Sequence, residues 1–169
     1  EGAMAIAMDV DAAGLSILAA AGKPVSPKSE ADLKAYVAHT DIPFIVKGIM
    51  TVQGALKALE AGAYGIVVSN HGGRVLDHTP STVEVLPEIA AAVKGKMKIF
   101  IDGGIRSGYD VLKVLALGAD AVLIGRPYAV AAYGGGTEAV KSYTEQLGAE
   151  LKDAMIMTGC LKLSDTVSY

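Results

Sequence analysis

The chain has 169 residues, 51% of them hydrophobic, with 20 glycines, 5% aromatic residues and no Trp. That is enough chain for one domain with a real core, and the glycine content suits closely packed α/β units rather than an aromatic recognition surface. A net charge of −3 gives no general pull toward nucleic acid or an anionic membrane, and the single cysteine, Cys160, excludes an internal disulfide framework. With no signal peptide and no apolar run long enough for a bilayer, the expected setting is the cytoplasm.

In chain order, "EGAMAIAMD" (1–9) reads as a helix end feeding a short buried strand that carries Asp9 and, just beyond, Asp11. The chain thus reads as starting in the middle of a fold. Leu15 to Ala21 is apolar but short. Ser29-Glu30-Ala31-Asp32 has the form of an N-cap and predicts a helix to about His39. "PFIVKG" (43–48) predicts a strand ending on Lys47. Thr51 caps "VQGALKALEAG", with Leu56 and Leu59 expected inward and Lys57 and Glu60 outward. "AGAYGIVVS" (61–69) repeats the Gly-Ala lead and delivers a polar loop, Ser69-Asn70-His71-Gly72-Gly73-Arg74. Ser81 starts a helix that Pro87 should bend or restart. "KIFIDGG" (98–104) is a fourth strand; Ser107 or Asp110 then opens "VLKVLALG". "LGADAVLIG" (117–125) repeats the Gly-Ala lead, with its strand placed at 121–124, and Thr137 opens a longer amphipathic helix toward Met157. Gly2, Gly62 and Gly118 are the expected left-handed residues that end helices.

Strand, loop and helix repeat, which means a parallel sheet covered by helices. The closed (β/α)8 TIM barrel and the open doubly wound sheet compete. The barrel is favoured because Lys47, Ser69, Asp102, Gly125 and the Asp9/Asp11 pair all sit at C-terminal strand ends, which a barrel gathers at one mouth. Five strands would make about the last five of eight, a partial barrel.

"DGGIRSG" (102–108) and "IGRP" (124–127) each join a strand to a helix through glycine and an arginine. Glycines alone can serve tight turns; two adjacent loops, each with an Arg, point to phosphate held by backbone amides and guanidinium groups. The first loop is expected to offer the free amides of the helix behind it. Lys47 is either a snorkelling surface lysine or a contact for an anionic ligand. His71 and Arg74 suit a proton acceptor and a carboxylate clamp, with Asp9 or Asp11 placed to hold the imidazolium; they would equally suit a polar turn. His39, at a helix end, and His78 have no such company. Cys160 and the six Met residues read as packing, and no metal-ligand spacing is present.

"PFIVKGIMT", "GIVVSNHGGRVLDHTP", "IFIDGGIRSGYDVLKVLALGADAVLIGRP" and "MTGC" resemble the FMN-dependent 2-hydroxy acid oxidases and dehydrogenases, the glycolate oxidase and lactate oxidase type, over about residues 41 to 163. The resemblance implies FMN as cofactor. Lys47 would lie near the flavin N1/O2 edge and Ser69 against the ring system. Asp102, Gly103, Gly104, Arg106, Gly125 and Arg126 would hold the ribityl phosphate. His71 would be the catalytic base, Asp11 the acid supporting it, and Arg74 the ligand of the substrate carboxylate. Asp9 stands where the family often has Thr.

Family chains are about twice as long, so residues 1–169 are expected to be the C-terminal part of one FMN-binding barrel domain, its N-terminal part absent. The implied reaction turns a small L-2-hydroxy acid into the 2-oxo acid as His71 takes a proton and two electrons pass to flavin. The other reading is a half-barrel flavin- or phosphate-binding module, or a remnant without catalysis. Exposed strand edges predict a homo-oligomer or a complementary N-terminal half as partner.

Overall fold

The computed structural model describes residues 2–14, 16–23 and 25–166. Glu1, Leu15, Pro24 and 167–169 lie outside them, and with them the helix end expected before Gly2 and the start of the short apolar run. Five strands form one parallel sheet: β1 (Ile6–Asp9), β2 (Phe44–Ile49), β3 (Gly65–Val68), β4 (Lys98–Ile101) and β5 (Ala121–Val122). Their spatial order is β1-β2-β3-β4-β5. A doubly wound sheet reverses its order at a switch point; this one never does. Sequential order with helical crossovers is the wall of a (β/α)8 barrel, of which these strands are an arc.

Alternate strand residues point to opposite faces. Val46, Ile66, Val68, Ile99 and Ile101 are fully buried and share one core with Leu33, Ala55, Ala58, Leu86, Ile89, Val93 and Val114 from the crossover helices. After the short α1 (Ser16–Ala20), these helices are α2 (Glu30–Ala38), α3 (Val52–Glu60), α4 (Thr82–Val93) and α5 (Gly108–Ala116). The other face carries a single register row, Asp9, Lys47, Val67, Phe100 and Ala121, running across all five strands. Burial of the shared core on one face therefore forces Asp9 and Lys47 onto the other, the inner face of the arc. Among the described residues β1 pairs only with β2 and β5 only with β4, so both outer edges are without strand partners.

Local chemistry explains the element starts. The Ser29, Thr51 and Ser107 hydroxyls accept from Asp32, Gly54 and Asp110 N–H respectively, as the caps predicted. His39 closes α2, its Nδ1 2.6 Å from the Ala35 carbonyl, which makes it a helix-end donor. Gly62 and Gly118 have φ of 84° and 113°, as expected of residues after a helix.

Four expectations need correction. Leu56 faces out, because the inward stripe of α3 is Ala55 and Ala58, with Leu59 only half-buried. Pro87 does not restart α4, which runs unbroken from Thr82 to Val93 with Leu86, Ile89 and Val93 buried on either side of it. β5 stops at Val122 instead of Ile124. Helix α6 begins at Arg126 and runs to Met157, but bends at Gly135 and Gly136, where the backbone leaves helical angles. Sixteen residues of straight helix would separate Tyr128 from Thr144 by about 24 Å; their hydroxyls are 3.0 Å apart. The element is thus a helical hairpin, with Thr137 opening only its second arm.

That second arm crosses α5 at Gly108, where an added Cβ would lie 2.2 Å from Leu151 N and 2.4 Å from the Leu147 carbonyl oxygen. Backbone cannot step aside as a side chain can. Gly108→Ala should cost about 3 kcal/mol or more, seen as a lower urea midpoint with unchanged slope; an unchanged midpoint would mean that the crossing is looser than this.

No helix among the described residues is long and apolar enough to cross a membrane.

Candidate active site

The strand ends converge on one cleft of about 360 Å³. Its wall includes Lys47, His71, Arg74, Asp102, Gly103, Gly104, Arg106, Gly125 and Arg126, nine of the eleven residues singled out from the sequence. The other two, Ser69 and Asp11, stand behind His71. Ser69 is fully buried and its hydroxyl accepts from the His71 N–H at 3.1 Å. Asp11 Oδ1 lies 3.3 Å from His71 Nδ1.

The loop after β3 shows why its sequence is His-Gly-Gly. His71, Gly72 and Gly73 all have positive φ, 57°, 68° and 76°. Glycine takes this region freely; His does so at a cost of roughly 1–3 kcal/mol unless its surroundings fix it. Here Asn70 ties the turn, accepting from Gly73 N–H at 3.1 Å while its amide donates to the Pro80 carbonyl at 3.3 Å. Arg74 Nε donates to the His71 carbonyl at 3.0 Å, which leaves its two terminal nitrogens for a carboxylate. Gly48 makes room on the other side: it has φ of 101°, sits at the bulge between β2 and β3, and a Cβ there would meet Asp11 Cγ at 2.6 Å.

The two glycine-arginine loops differ from each other. The amides at the start of α5 are not free: Arg106 N–H and Ser107 N–H donate to Asp110 Oδ2, both at 3.1 Å, and Gly108 N–H donates to Glu150 Oε2 at 2.8 Å. The expectation of an open helix start after "DGGIRSG" is therefore wrong; the first turn is closed by its own acid and by α6. The Tyr143 hydroxyl also donates to the Arg106 carbonyl at 3.0 Å, so both ends of the Arg106 residue are pinned. By contrast, no protein group among the described residues accepts from the amides of Gly103, Gly104, Gly125 or Arg126, and α6 has no side-chain cap. These are the donors that an anion can use. Thr82, buried on α4 and absent from the sequence reading, donates to the Asp102 carbonyl at 2.6 Å and fixes the strand end from which the first loop departs. Asn70 carried a sequence signal, a capping residue type ahead of a glycine pair, whose side chain accepts three residues on; Thr82 carried none.

Burial is the strongest influence on the Asp110 carboxyl and raises it, but the hydrogen bonds from Arg106 and Ser107, with Lys113 nearby, together hold it below its ordinary value of 3.8. A carboxylate with a depressed folded value stabilises the fold above its unfolded value and loses that contribution as pH falls through the folded one. The stability difference between the unsubstituted protein and its Asp110→Asn variant should therefore be constant near neutrality and shrink below about pH 4. A difference that persists undiminished to pH 2.5 in urea unfolding would contradict this. Burial likewise raises the Tyr143 hydroxyl, keeping it a donor.

Four cations, Lys47, Arg74, Arg106 and Arg126, and one acid, Asp102, line the cleft. Asp102 Oδ1 is buried without a hydrogen-bond partner, although it would accept a hydroxyl readily. Unused amides on two adjacent loops, two arginines and an orphaned acceptor suit a phosphorylated polyol. A model of the FMN-dependent dehydrogenases matches residues 5–168.

The chain belongs to the FMN-dependent dehydrogenase family.

It is 50% identical over 135 residues to the 4-hydroxymandelate oxidase of Amycolatopsis orientalis, covering 80% of this chain and 38% of that protein. It is 48% identical over 126 residues to a peroxisomal (S)-2-hydroxyacid oxidase of Arabidopsis thaliana, covering 75% and 35%, and 43% identical over 152 residues to the L-lactate oxidase of Lactobacillus jensenii, covering 90% and 37%. A crystal structure of mandelate oxidase superposes with a TM-score of 0.91 at 39% identity, covering 98% of this chain and 55% of that one. The chain thus spans well under half the length of these curated relatives and about half of the solved structure. The FMN-dependent fold that the resemblance implied is present as a partial TIM barrel, and FMN is the cofactor of the family.

Proposed function

We propose that the intact protein oxidises an L-2-hydroxy acid to the 2-oxo acid, with His71 as the base. The observation that carries this is His71, backed by Asp11, in the same cleft as Arg74 and the two loops whose amides are unused. Gly103, Gly104, Arg106, Gly125 and Arg126 would hold the FMN phosphate, Asp102 would accept from the ribityl chain, and Lys47 would face the ring system. Bound FMN supplies the acceptor for two electrons.

The chain's own residues do the rest. Arg74 clamps the substrate carboxylate by two parallel hydrogen bonds and so fixes C2 and its hydroxyl beside the imidazole. Asp11 accepts from Nδ1–H, which leaves Nε2 as the basic atom, and offsets the charge once a proton has been taken. Ser69 and Asn70 hold the strained turn, so the ring is aimed before substrate arrives. Relatives named for L-lactate, mandelate and hydroxymandelate support trying such acids first, with glycolate as the smallest of the class.

The test uses the purified intact protein. Visible flavin absorbance should bleach on anaerobic addition of L-lactate, glycolate or (S)-mandelate, with one 2-oxo acid formed per flavin. Arg74→Lys should raise KM and lower kcat, a loss of about 1.5–3 kcal/mol in kcat/KM, because an ammonium cannot reproduce the fork. Flavin that binds but is not reduced by any 2-hydroxy acid would replace this reading with that of a binding module.

A further inference from the structure

Of the four cations lining the cleft, only Lys47 has an ion-pair partner among the described residues, and that partner is Asp9. The pairing follows from register. Asp9 and Lys47 are Cα partners on adjacent strands, so both project from the inner face at the same height. The same oxygen of Asp9 also lies 3.9 Å from His71 Nδ1, beyond the 3.3 Å contact of Asp11. Asp9 does not itself line the cleft. Arg106 and Arg126, on the loops after β4 and β5, keep their charge unbalanced, while the Lys47 side is balanced internally.

We propose that Asp9 is a positioning residue that holds the Lys47 ammonium at the end of β2 and so reduces the positive charge which that side of the cleft offers to an anionic occupant. The cleft is thereby polarised, with its anion-binding strength concentrated on the two arginine loops. Asp11, not Asp9, remains the direct support of His71, which is why one acid can serve the lysine while the other serves the imidazole. The simpler alternative is a cross-strand pair that only stiffens the sheet edge. The proposal rests on the reading of this cleft as the FMN site for its second measurement but not for its first.

The first measurement needs no flavin. An amine tied to a carboxylate is shielded from reagent, so Lys47 in the intact protein should react with acetic anhydride about threefold or more faster in Asp9→Asn than in the unsubstituted protein. Peptide mass spectrometry reads the site. Asp9→Glu, which keeps the charge, should restore the slow rate; an Asp9→Asn rate equal to that of the unsubstituted protein would overturn the proposal. In the second, Asp9→Asn should tighten FMN about threefold or more, and the gain should vanish in a Lys47→Met background. A gain that persists without Lys47, or no gain at all, would overturn the charge-balancing role. Failure of the unsubstituted protein to bind FMN would count against the proposed function, while the acylation rates would still decide the role of Asp9.

Discussion

Replacing His71 by Gln or Asn in the intact protein should lower kcat about a hundredfold to ten-thousandfold while FMN stays bound. The imidazole has one nitrogen committed to Asp11 at 3.3 Å, so a single basic atom is left for substrate. Gln and Asn can donate and accept hydrogen bonds, but neither can take a proton near neutral pH. Flavin content should be unaffected, because the unused amides and arginines of the anion site belong to the loops after β4 and β5, not to the turn after β3. Two variants are needed because position 71 has φ of 57°. Asn tolerates that region well and Gln less so. A shared loss therefore reports the missing base, whereas a loss confined to Gln would report backbone strain. Near-normal turnover in both would remove His71 from the chemistry.

The fold was legible from the sequence wherever short-range rules decide the outcome. Ser29, Thr51 and Ser107 are caps in the sequence and in the structure, and the Gly-Ala leads before β3 and β5 mark helix ends that Gly62 and Gly118 close with positive φ. Misreadings came where tertiary packing competes with local preference. Leu56 loses its inward place because the buried stripe of α3 is taken by the small residues Ala55 and Ala58. Pro87 fits within α4 because burial of the surrounding stripe outweighs one missing hydrogen bond. Residues 126–134 gave no helical signal apart from Pro127 near the start, a position Pro favours.

The same division runs through the site. Nine cleft residues could be named from their strand-end positions, since a barrel gathers those ends whatever the side chains. Asp11 was named beside His71, but the other long-range partners could not be. Nothing local tells that Glu150 closes the start of α5, that Thr82 holds the Asp102 carbonyl, or that register pairs Asp9 with Lys47. Together with Asp110, the first of these closes the start of α5 and leaves the amides of Gly103, Gly104, Gly125 and Arg126 as the unused donors of the cleft.

Arg106→Ala combined with Arg126→Ala should weaken FMN by a hundredfold or more, each lost charged hydrogen bond being worth about 1.5–3 kcal/mol. Riboflavin has the same ring system and ribityl chain without the phosphate, so its affinity should fall far less. The two single variants should also differ from each other. Arg106 is pinned through its own backbone by Asp110 and Tyr143, so removing its side chain leaves the loop in place. The Arg126 guanidinium instead lies against Gly72, with a nitrogen 2.9 Å from where a Cβ would stand. Arg126→Ala should therefore loosen the His71 turn and lower kcat even at saturating FMN, whereas Arg106→Ala should affect FMN affinity alone. Flavin titrations with FMN and riboflavin, followed by turnover at saturating FMN, separate these effects. Equal losses for the two flavins would assign both arginines to packing, and equal turnover in the two single variants would break the link between Arg126 and the catalytic turn.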